Sequence, residues 1–153
     1  MEHFGDGSQN YEDRQSIGIN IGEKLFEDWA KEKCTFIARL GFDEKYGNVP
    51  NFFDLNPIVR NIPDYVILNN NRLFLVNVKG TTNIKAKEIA ILPQLVEAYS
   101  SEKAPLVYAF CFRGEIPKFI TTTQLTGLYE LGEDKEWTDG IKYRRINLSQ
   151  LNK

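Results

Sequence analysis

The feature that most constrains this chain is a pair of short apolar runs separated by a cluster of asparagines. The runs are residues 65–68 and 73–76, and Asn70 and Asn71 lie between them. Because asparagine tolerates positive φ, these two residues suit a two-residue turn between antiparallel strands. The spacing therefore predicts a tight β-hairpin.

The predicted turn also determines which polar side chains share a face of the hairpin. Counting outward from the turn places Asp64, which follows Pro63, directly opposite Asn77. Residues opposite each other in an antiparallel pair project on the same side, and Lys79 lies two residues further along on that side. An acid, an amide and a lysine are therefore expected to converge where a metal ion and a phosphate group can bind.

Size and composition bound the class of protein. The chain has 153 residues, of which 42% are hydrophobic and 12% aromatic, so it is expected to form one globular domain with a substantial core. No apolar run has the length of a membrane span or the position of a signal peptide, which predicts an intracellular, cytoplasmic protein. The formal net charge is −2, so contact with nucleic acid would require a local basic patch.

The scarcity of histidine excludes several kinds of chemistry. His3 is the only histidine, which leaves no catalytic triad, no Cys-His pair and no histidine-based metal helix. Cys34 and Cys111 lie in apolar contexts and are expected to be reduced, buried thiols. Any catalysis must then depend on carboxylates, lysine and a bound ion.

Periodicity and turn residues predict the order of elements along the rest of the chain. Residues 1–15 are expected to be a flexible tail, and residues 16–153 a single α/β domain with a central mixed sheet. We expect Asn83 to cap a helix over 84–100, and Pro93 to kink or divide it. The other predicted elements are a helix from 16, strands at 35–40, 106–112, 118–123 and 143–148, a long connection at 43–61, a helical turn at 124–131 and a surface loop at 132–140.

Pro63-Asp64 followed by Asn77-Val78-Lys79 resembles the motif of the PD-(D/E)XK nuclease superfamily. In that superfamily an Asp on one strand and a (D/E)-x-Lys on the next bind a divalent metal and cut phosphodiester bonds. The resemblance implies a restriction-endonuclease-like core of αβββαβ order, Mg²⁺ or Mn²⁺ as cofactor, and DNA, including branched or repair-type DNA, as substrate. Small nucleases of this type often act as dimers, so a homodimer is a further expectation.

The resemblance also implies roles for particular residues. Asp64 would bind the metal, Lys79 would orient the attacking water or stabilise the transition state, and Glu23 on the first helix would reach the metal, often through water. The implied catalytic set is Glu23, Asp64, Asn77 and Lys79. The implied contacts to nucleic acid are Gly80, Thr81, Thr82, Lys85, Lys87 and Gln94.

This chain departs from the motif at Asn77, where the superfamily usually has a carboxylate. Three explanations remain open at this point. The amide is tolerated because Asp64 and Glu23 supply enough charge; the missing acid has moved to Glu88 on the following helix; or the site has lost catalysis. Functionally, the alternatives to a nuclease are an inactive domain of the same fold that binds nucleic acid or a protein partner, and a structural or assembly protein.

Overall fold

The computed structural model describes residues 11–40 and 56–152. Its helices and strands, in chain order, are α1 (Tyr11–Lys33), β1 (Phe36–Arg39), α2 (Pro57–Arg60), β2 (Tyr65–Asn69), β3 (Arg72–Lys79), β4 (Asn83–Lys85), α3 (Ala86–Tyr99), β5 (Leu106–Phe110), β6 (Lys118–Thr121), α4 (Thr122–Glu130), β7 (Glu133–Glu136), β8 (Lys142–Arg145) and a 3₁₀ helix (Leu148–Asn152).

A five-stranded mixed sheet in the order β1-β2-β3-β5-β6 forms the centre of the fold. Neighbouring strands are antiparallel except β3 and β5, which are parallel. Parallel neighbours require a crossover connection, and α3 lies within that connection. This arrangement confirms the predicted α/β class with a central mixed sheet flanked by helices.

The hairpin of β2 and β3 forms as predicted. Asn70 and Asn71 have φ values of 51° and 62°, which is the pair of left-handed residues that a type I′ turn requires. Asn69 pairs with Arg72, and the ladder continues to Tyr65 opposite Val76. The register therefore places the next residue back, Asp64, level with Asn77.

Helices cover both faces of the sheet with apolar side chains. On one face, Phe26 and Ala30 of α1 belong to a buried cluster with side chains of β2, β3 and β5. On the other, Leu92 of α3 and Leu125 of α4 belong to a second cluster that includes Tyr108 of β5. The residues of β5 are buried throughout, as expected for a strand covered on both faces.

Several predicted boundaries differ from the structure. Helix α1 begins at Tyr11, five residues before the predicted start, while residues 1–10 of the predicted tail lie outside the described residues. Most of the predicted connection at 43–61 also lies outside them, and its end forms α2. Helix α3 is not divided at Pro93.

Two differences come from a second, three-stranded sheet in the order β4-β8-β7. Asn83 pairs with Arg145 in this sheet, so it does not cap α3, which begins at Ala86 instead. The segment predicted as a surface loop at 132–140 contains β7, which is exposed along its length. Its four charged residues gave no apolar alternation from which a strand could be predicted.

Candidate active site

Asp64 lies at the start of the hairpin and is held by the neighbouring strand. Its Oδ2 accepts a hydrogen bond of 2.8 Å from the backbone N–H of Val78. Asp64 is half-buried, and this bond holds it beside Asn77, where the hairpin register places it. Asp64 and Asn77 are therefore neighbours in the structure.

The carboxyl of Asp64 lies in surroundings that disfavour its charge. Burial, and after it the negative charge of Glu23, raise the pKa of Asp64 to about 7. The Val78 N–H and the cations of Arg39 and Lys79 act in the opposite direction without cancelling the effect. The site thus holds an acid whose charge the protein alone does not fully balance.

Lys79 at the end of β3 meets the acid that follows on α3. Its Nζ lies 2.7 Å from Oε1 of Glu88, while Oε2 of Glu88 accepts a 2.8 Å hydrogen bond from the backbone N–H of Lys85. Burial would raise the pKa of Glu88, but Lys79 and the Lys85 N–H outweigh it and lower the pKa. Glu88 therefore contributes a negative charge beside the lysine.

Glu23 reaches the site from α1 and is buried. Its Oε2 lies 2.9 Å from Nη1 of Arg39, and the same Nη1 lies 3.1 Å from the hydroxyl of Tyr65. Glu23 is also close enough to Asp64 to raise the pKa of that carboxyl. The structure therefore brings Glu23, Asp64, Lys79 and Glu88 into one electrostatic cluster, with Arg39 as an additional cation.

Tyr108 is a member of the cluster that the sequence analysis missed. It lies opposite Asn77 in the parallel ladder of β3 and β5, so the two side chains project on the same side of the sheet. Burial, with Glu88 and Asp64 nearby, raises the pKa of its hydroxyl. In the sequence, Tyr108 is a single tyrosine inside an otherwise apolar predicted strand. The parallel pairing of β5 with β3, which places Tyr108 next to Asn77, could not be predicted from the sequence.

A close backbone approach joins α1 to the end of β3. A Cβ added to Gly22 would lie 2.9 Å from Cα of Gly80 and 3.1 Å from its nitrogen. Glycine at position 22 lets the helix carrying Glu23 come this near to the residue after Lys79. The distance between Glu23 on α1 and Lys79 at the end of β3 therefore depends on the absence of a side chain at Gly22.

We expect Gly22→Ala to destabilise the protein by about 1–3 kcal/mol, because backbone atoms must move to admit the methyl group. Gly127→Ala is the matched control: Gly127 is also in a helix, but nothing lies within 4 Å of its added Cβ. The control is expected to stabilise by about 0.5–1 kcal/mol through helix propensity. Urea unfolding measures both, and equal stabilisation by the two substitutions would contradict the close approach.

The residues predicted to contact nucleic acid are not all near the cluster. Gly80 follows Lys79 directly, and the Oγ1 of Thr81 accepts a 3.2 Å hydrogen bond from Asn83 N. Thr82 is buried and lines a separate cleft of about 350 Å³ beside the three-stranded sheet. Lys85 is half-buried at the start of α3.

The remaining two predicted contacts lie on α3. Lys87 is exposed in its first turn. Gln94 is exposed too, but it lies six residues after Glu88, about 240° around the helix axis from that carboxylate. The geometry of α3 therefore places Gln94 away from the cluster.

The oxygen donors present suit a hard cation held by few protein ligands. Magnesium binds through one or two carboxylates while keeping several waters, and Asp64, Glu88 and the amide of Asn77 are donors of this kind. Among the described residues, no group of three or more His, Cys, Asp or Glu side chains is arranged to hold a metal ion. Any cation bound here would therefore depend on water ligands and on the amide.

Comparisons with models of protein families, with curated proteins and with solved structures find no match. None of the described helices is both long enough and apolar enough to cross a membrane.

Proposed function

We propose that this protein is a divalent-metal-dependent nuclease that hydrolyses phosphodiester bonds in DNA, including branched or repair-type substrates. The order of α1, β1, β2, β3, α3 and β5 supports this proposal because it agrees with the αβββαβ order expected of a restriction-endonuclease-like core. The small β4 and α2 are additions to that order.

The observation that carries the proposal is the incompletely balanced carboxyl of Asp64 beside Lys79 and Glu88. The pKa of Asp64 is raised to about 7, although Arg39 and Lys79 are near it. A divalent cation would compensate this charge and that of the neighbouring acids. Perturbed acids of this kind concentrate at functional sites.

The residues that would hold Mg²⁺ or Mn²⁺ are Asp64 and Asn77, with Glu88 or Glu23 completing the charge directly or through water. A bound divalent cation supplies polarisation of the phosphate and a more acidic water. Lys79 would position the attacking water or stabilise the charge that develops on the phosphate. Its contact with Glu88 keeps the ammonium group oriented at the end of β3.

The start of α3 would contact the DNA backbone next to the site. Lys85 and Lys87 lie within three residues of Glu88, and Gly80 lets a phosphate approach the backbone near Lys79. Salt-dependent attraction to phosphate is the expected contribution of such lysines. This local patch would compensate for the net charge of −2.

We expect Lys87→Ala to weaken DNA binding modestly for all sequences and to reduce the slope of log K against log salt by about 1. Fluorescence anisotropy with a labelled DNA in Ca²⁺, which permits binding without turnover in many metal-dependent sites, measures the slope. Lys24→Ala on α1 is the control, since Lys24 is an exposed lysine paired with Asp28. An unchanged slope for Lys87→Ala would remove this residue from the DNA contact.

The second candidate function is an inactive domain of the same fold that binds nucleic acid or a protein partner. It is favoured by the amide at Asn77 and by the absence, among the described residues, of a group of three acidic, His or Cys side chains arranged to hold a metal. This candidate predicts DNA binding without metal binding. It also predicts that Asn77→Asp or Asn77→Glu restores activity.

A cleavage assay tests the two candidates against each other. Purified protein is incubated with branched, flapped and linear labelled DNA in Mg²⁺, Mn²⁺ or EDTA, and products are separated on denaturing gels. The nuclease proposal expects cleavage of at least one substrate that requires the divalent cation. No cleavage of any substrate by the wild type, or cleavage that persists in EDTA, would overturn it.

A further inference from the structure

The cleft of about 350 Å³ beside the three-stranded sheet lies apart from the acids of the candidate site. Its walls come from the loop between β3 and β4, from residues around the start of β7, and from the residues that link β8 to the 3₁₀ helix. Ile146 and Leu148 line it, and both belong to the buried cluster that includes side chains of α3 and α4. The cleft is therefore anchored in the core, as is usual for a pre-formed binding site.

The cleft is close to Lys79 along the chain. Thr82, which forms part of one wall, follows Lys79 by three residues, and three residues span at most about 11 Å. The backbone N–H of Ile146 donates a 3.0 Å hydrogen bond to the carbonyl of Thr82, which joins the end of β8 to this loop. Since neighbouring nucleotides of one DNA strand rise by about 3.4 Å, the cleft lies within a few nucleotides of a phosphate bound at Lys79.

Arg145 is a cation that lines this cleft. Its side chain is exposed, and its Nε donates a 3.2 Å hydrogen bond to Oδ1 of Asn83, the residue opposite it on β4. Glu133 lies opposite it on β7 but contacts Lys135 instead, at 3.3 Å. Within the part of the chain that the structure describes, no carboxylate forms an ion pair with Arg145. A guanidinium has five N–H donors, so its two terminal nitrogens are left for a phosphate.

The other polar groups of the cleft suit the base of a nucleotide. Asn147 and Gln150 carry amides, which pair well with base edges, and Oδ1 of Asn147 accepts hydrogen bonds from N and Oγ of Ser149. The carboxylate of Glu133 repels phosphate but accepts a hydrogen bond from the amino group of a base. The volume lies near the lower end of the range of small-molecule sites, roughly 300–1,000 Å³. It therefore suits one nucleotide and excludes a duplex.

We propose, as an inference that rests on the nuclease function above, that this cleft binds one unpaired nucleotide of the DNA, a few positions from the cleaved phosphate. Arg145 binds its phosphate, and the amides of Asn147 and Gln150 contact its base. A nucleotide inside a duplex must be unpaired and unstacked before it can enter such a cleft, whereas nucleotides at a branch or flap are already unpaired. The cleft therefore favours branched and flapped DNA over linear duplex.

Arg145→Gln tests the inference because it removes the charge while the exposed position spares the core. Flapped DNA carries the fluorescent base 2-aminopurine at one position at a time around the branch, and its fluorescence and affinity are measured with the intact protein in Ca²⁺. Lys142→Gln is the matched control, since it removes the same charge from an exposed side chain of β8 that does not line the cleft. Urea unfolding checks that each variant is folded, and Gln150→Ala is the second variant.

The expected result is a several-fold rise in fluorescence at one unpaired position near the branch when the wild type binds. The described residues that line the cleft include no aromatic ring that would stack on the base and quench it. Arg145→Gln should return this signal toward that of free DNA and weaken binding of flapped DNA about 10-fold. Gln150→Ala should also lower the signal, while Lys142→Gln should keep it and change the affinity by about twofold or less.

The outcomes separate the cleft from the nuclease proposal. Equal fluorescence with the wild type and with folded Arg145→Gln and Gln150→Ala, or no rise at any position of bound DNA, would overturn the inference and leave the nuclease proposal standing. A signal that depends on Arg145 in a wild type that binds DNA without cleaving it would support the cleft and contradict the nuclease proposal. A wild type that binds no DNA would overturn both.

Discussion

Replacing Lys79 with methionine is expected to lower the rate of metal-dependent DNA cleavage by about 10²–10⁴-fold, the range found when a charged group that assists the transition state is removed. Methionine keeps most of the side-chain length and volume but removes the ammonium group that lies 2.7 Å from Glu88. Single-turnover rates at saturating enzyme separate this loss from any change in DNA affinity.

The Lys79 substitution also removes the cation from a partly buried pair, so its structural effect must be measured separately. Leaving Glu88 without its partner is expected to cost about 1–3 kcal/mol of unfolding free energy. Lys135→Met is the control, because it breaks an exposed pair with Glu133 that is expected to contribute less than about 1 kcal/mol. A Lys79→Met protein that is folded in urea titrations yet cleaves DNA at the wild-type rate would contradict the assigned role.

Replacing Asp64 with asparagine is expected to abolish cleavage and, in the metal-free protein, to raise stability at neutral and alkaline pH. Asparagine can still accept the hydrogen bond from Val78 N but carries no charge. The two effects have one cause, since the carboxylate that would bind the cation is the group whose charge is disfavoured when no cation is present. Such an exchange of stability for function is common at binding sites.

The pH dependence follows from the direction of the shift. The pKa of Asp64 is about 7 in the folded protein and 3.8 is its ordinary value, so the folded state binds more protons between about pH 4 and 7. The unfolding free energy of the wild type therefore falls relative to that of Asp64→Asn as pH rises through this window. Above the window, the difference between the two proteins no longer changes with pH. The pKa shift of Asp64 corresponds to at most about 4 kcal/mol of unfolding free energy. Because water has partial access to Asp64, we expect Asp64→Asn to be more stable than the wild type by about 1–2 kcal/mol above this window.

Urea unfolding in EDTA at several pH values between 4.5 and 8.5 measures this difference. Asp28→Asn is the control, because Asp28 is an exposed carboxylate paired with Lys24 on the surface of α1 and is expected to change stability by less than about 1 kcal/mol. A destabilisation by Asp64→Asn that is independent of pH would show that the carboxylate is favoured in the folded state, contrary to its assigned surroundings.

The hairpin and the class of the fold could be predicted because local chemistry determines them. Asn70 and Asn71 specify the turn, and the turn fixes the register that brings Asp64 level with Asn77. The three-stranded sheet could not be predicted in the same way. It joins Asn83–Lys85 to strands near the end of the chain, and its exposed, charged β7 has no apolar pattern.

The same distinction applies to the candidate site. Glu88 follows Lys79 by nine residues, so a strand followed by a helix was enough to suggest Glu88 as a substitute for the missing acid; its ion pair with Lys79 was not predicted. The positions of Tyr108 and Arg39 at the site depend on the pairing of strands that are distant in sequence and on a helix packed across the sheet. No local sequence pattern predicts these contacts. Gln94 was selected by a loose similarity of spacing, and the pitch of α3 places it on another side of the helix.

A manganese-soaked crystal tests most directly whether these residues form a metal centre. Anomalous scattering measured at the manganese edge locates the ion without relying on the protein geometry. We predict one strong peak about 2.0–2.3 Å from an oxygen of Asp64, with the Asn77 oxygen and a carboxylate oxygen of Glu88 or Glu23 as ligands or joined to it through water. Crystals that hold manganese elsewhere, or that hold none at Asp64 under saturating Mn²⁺, would contradict the assignment of this cluster as a nuclease active site.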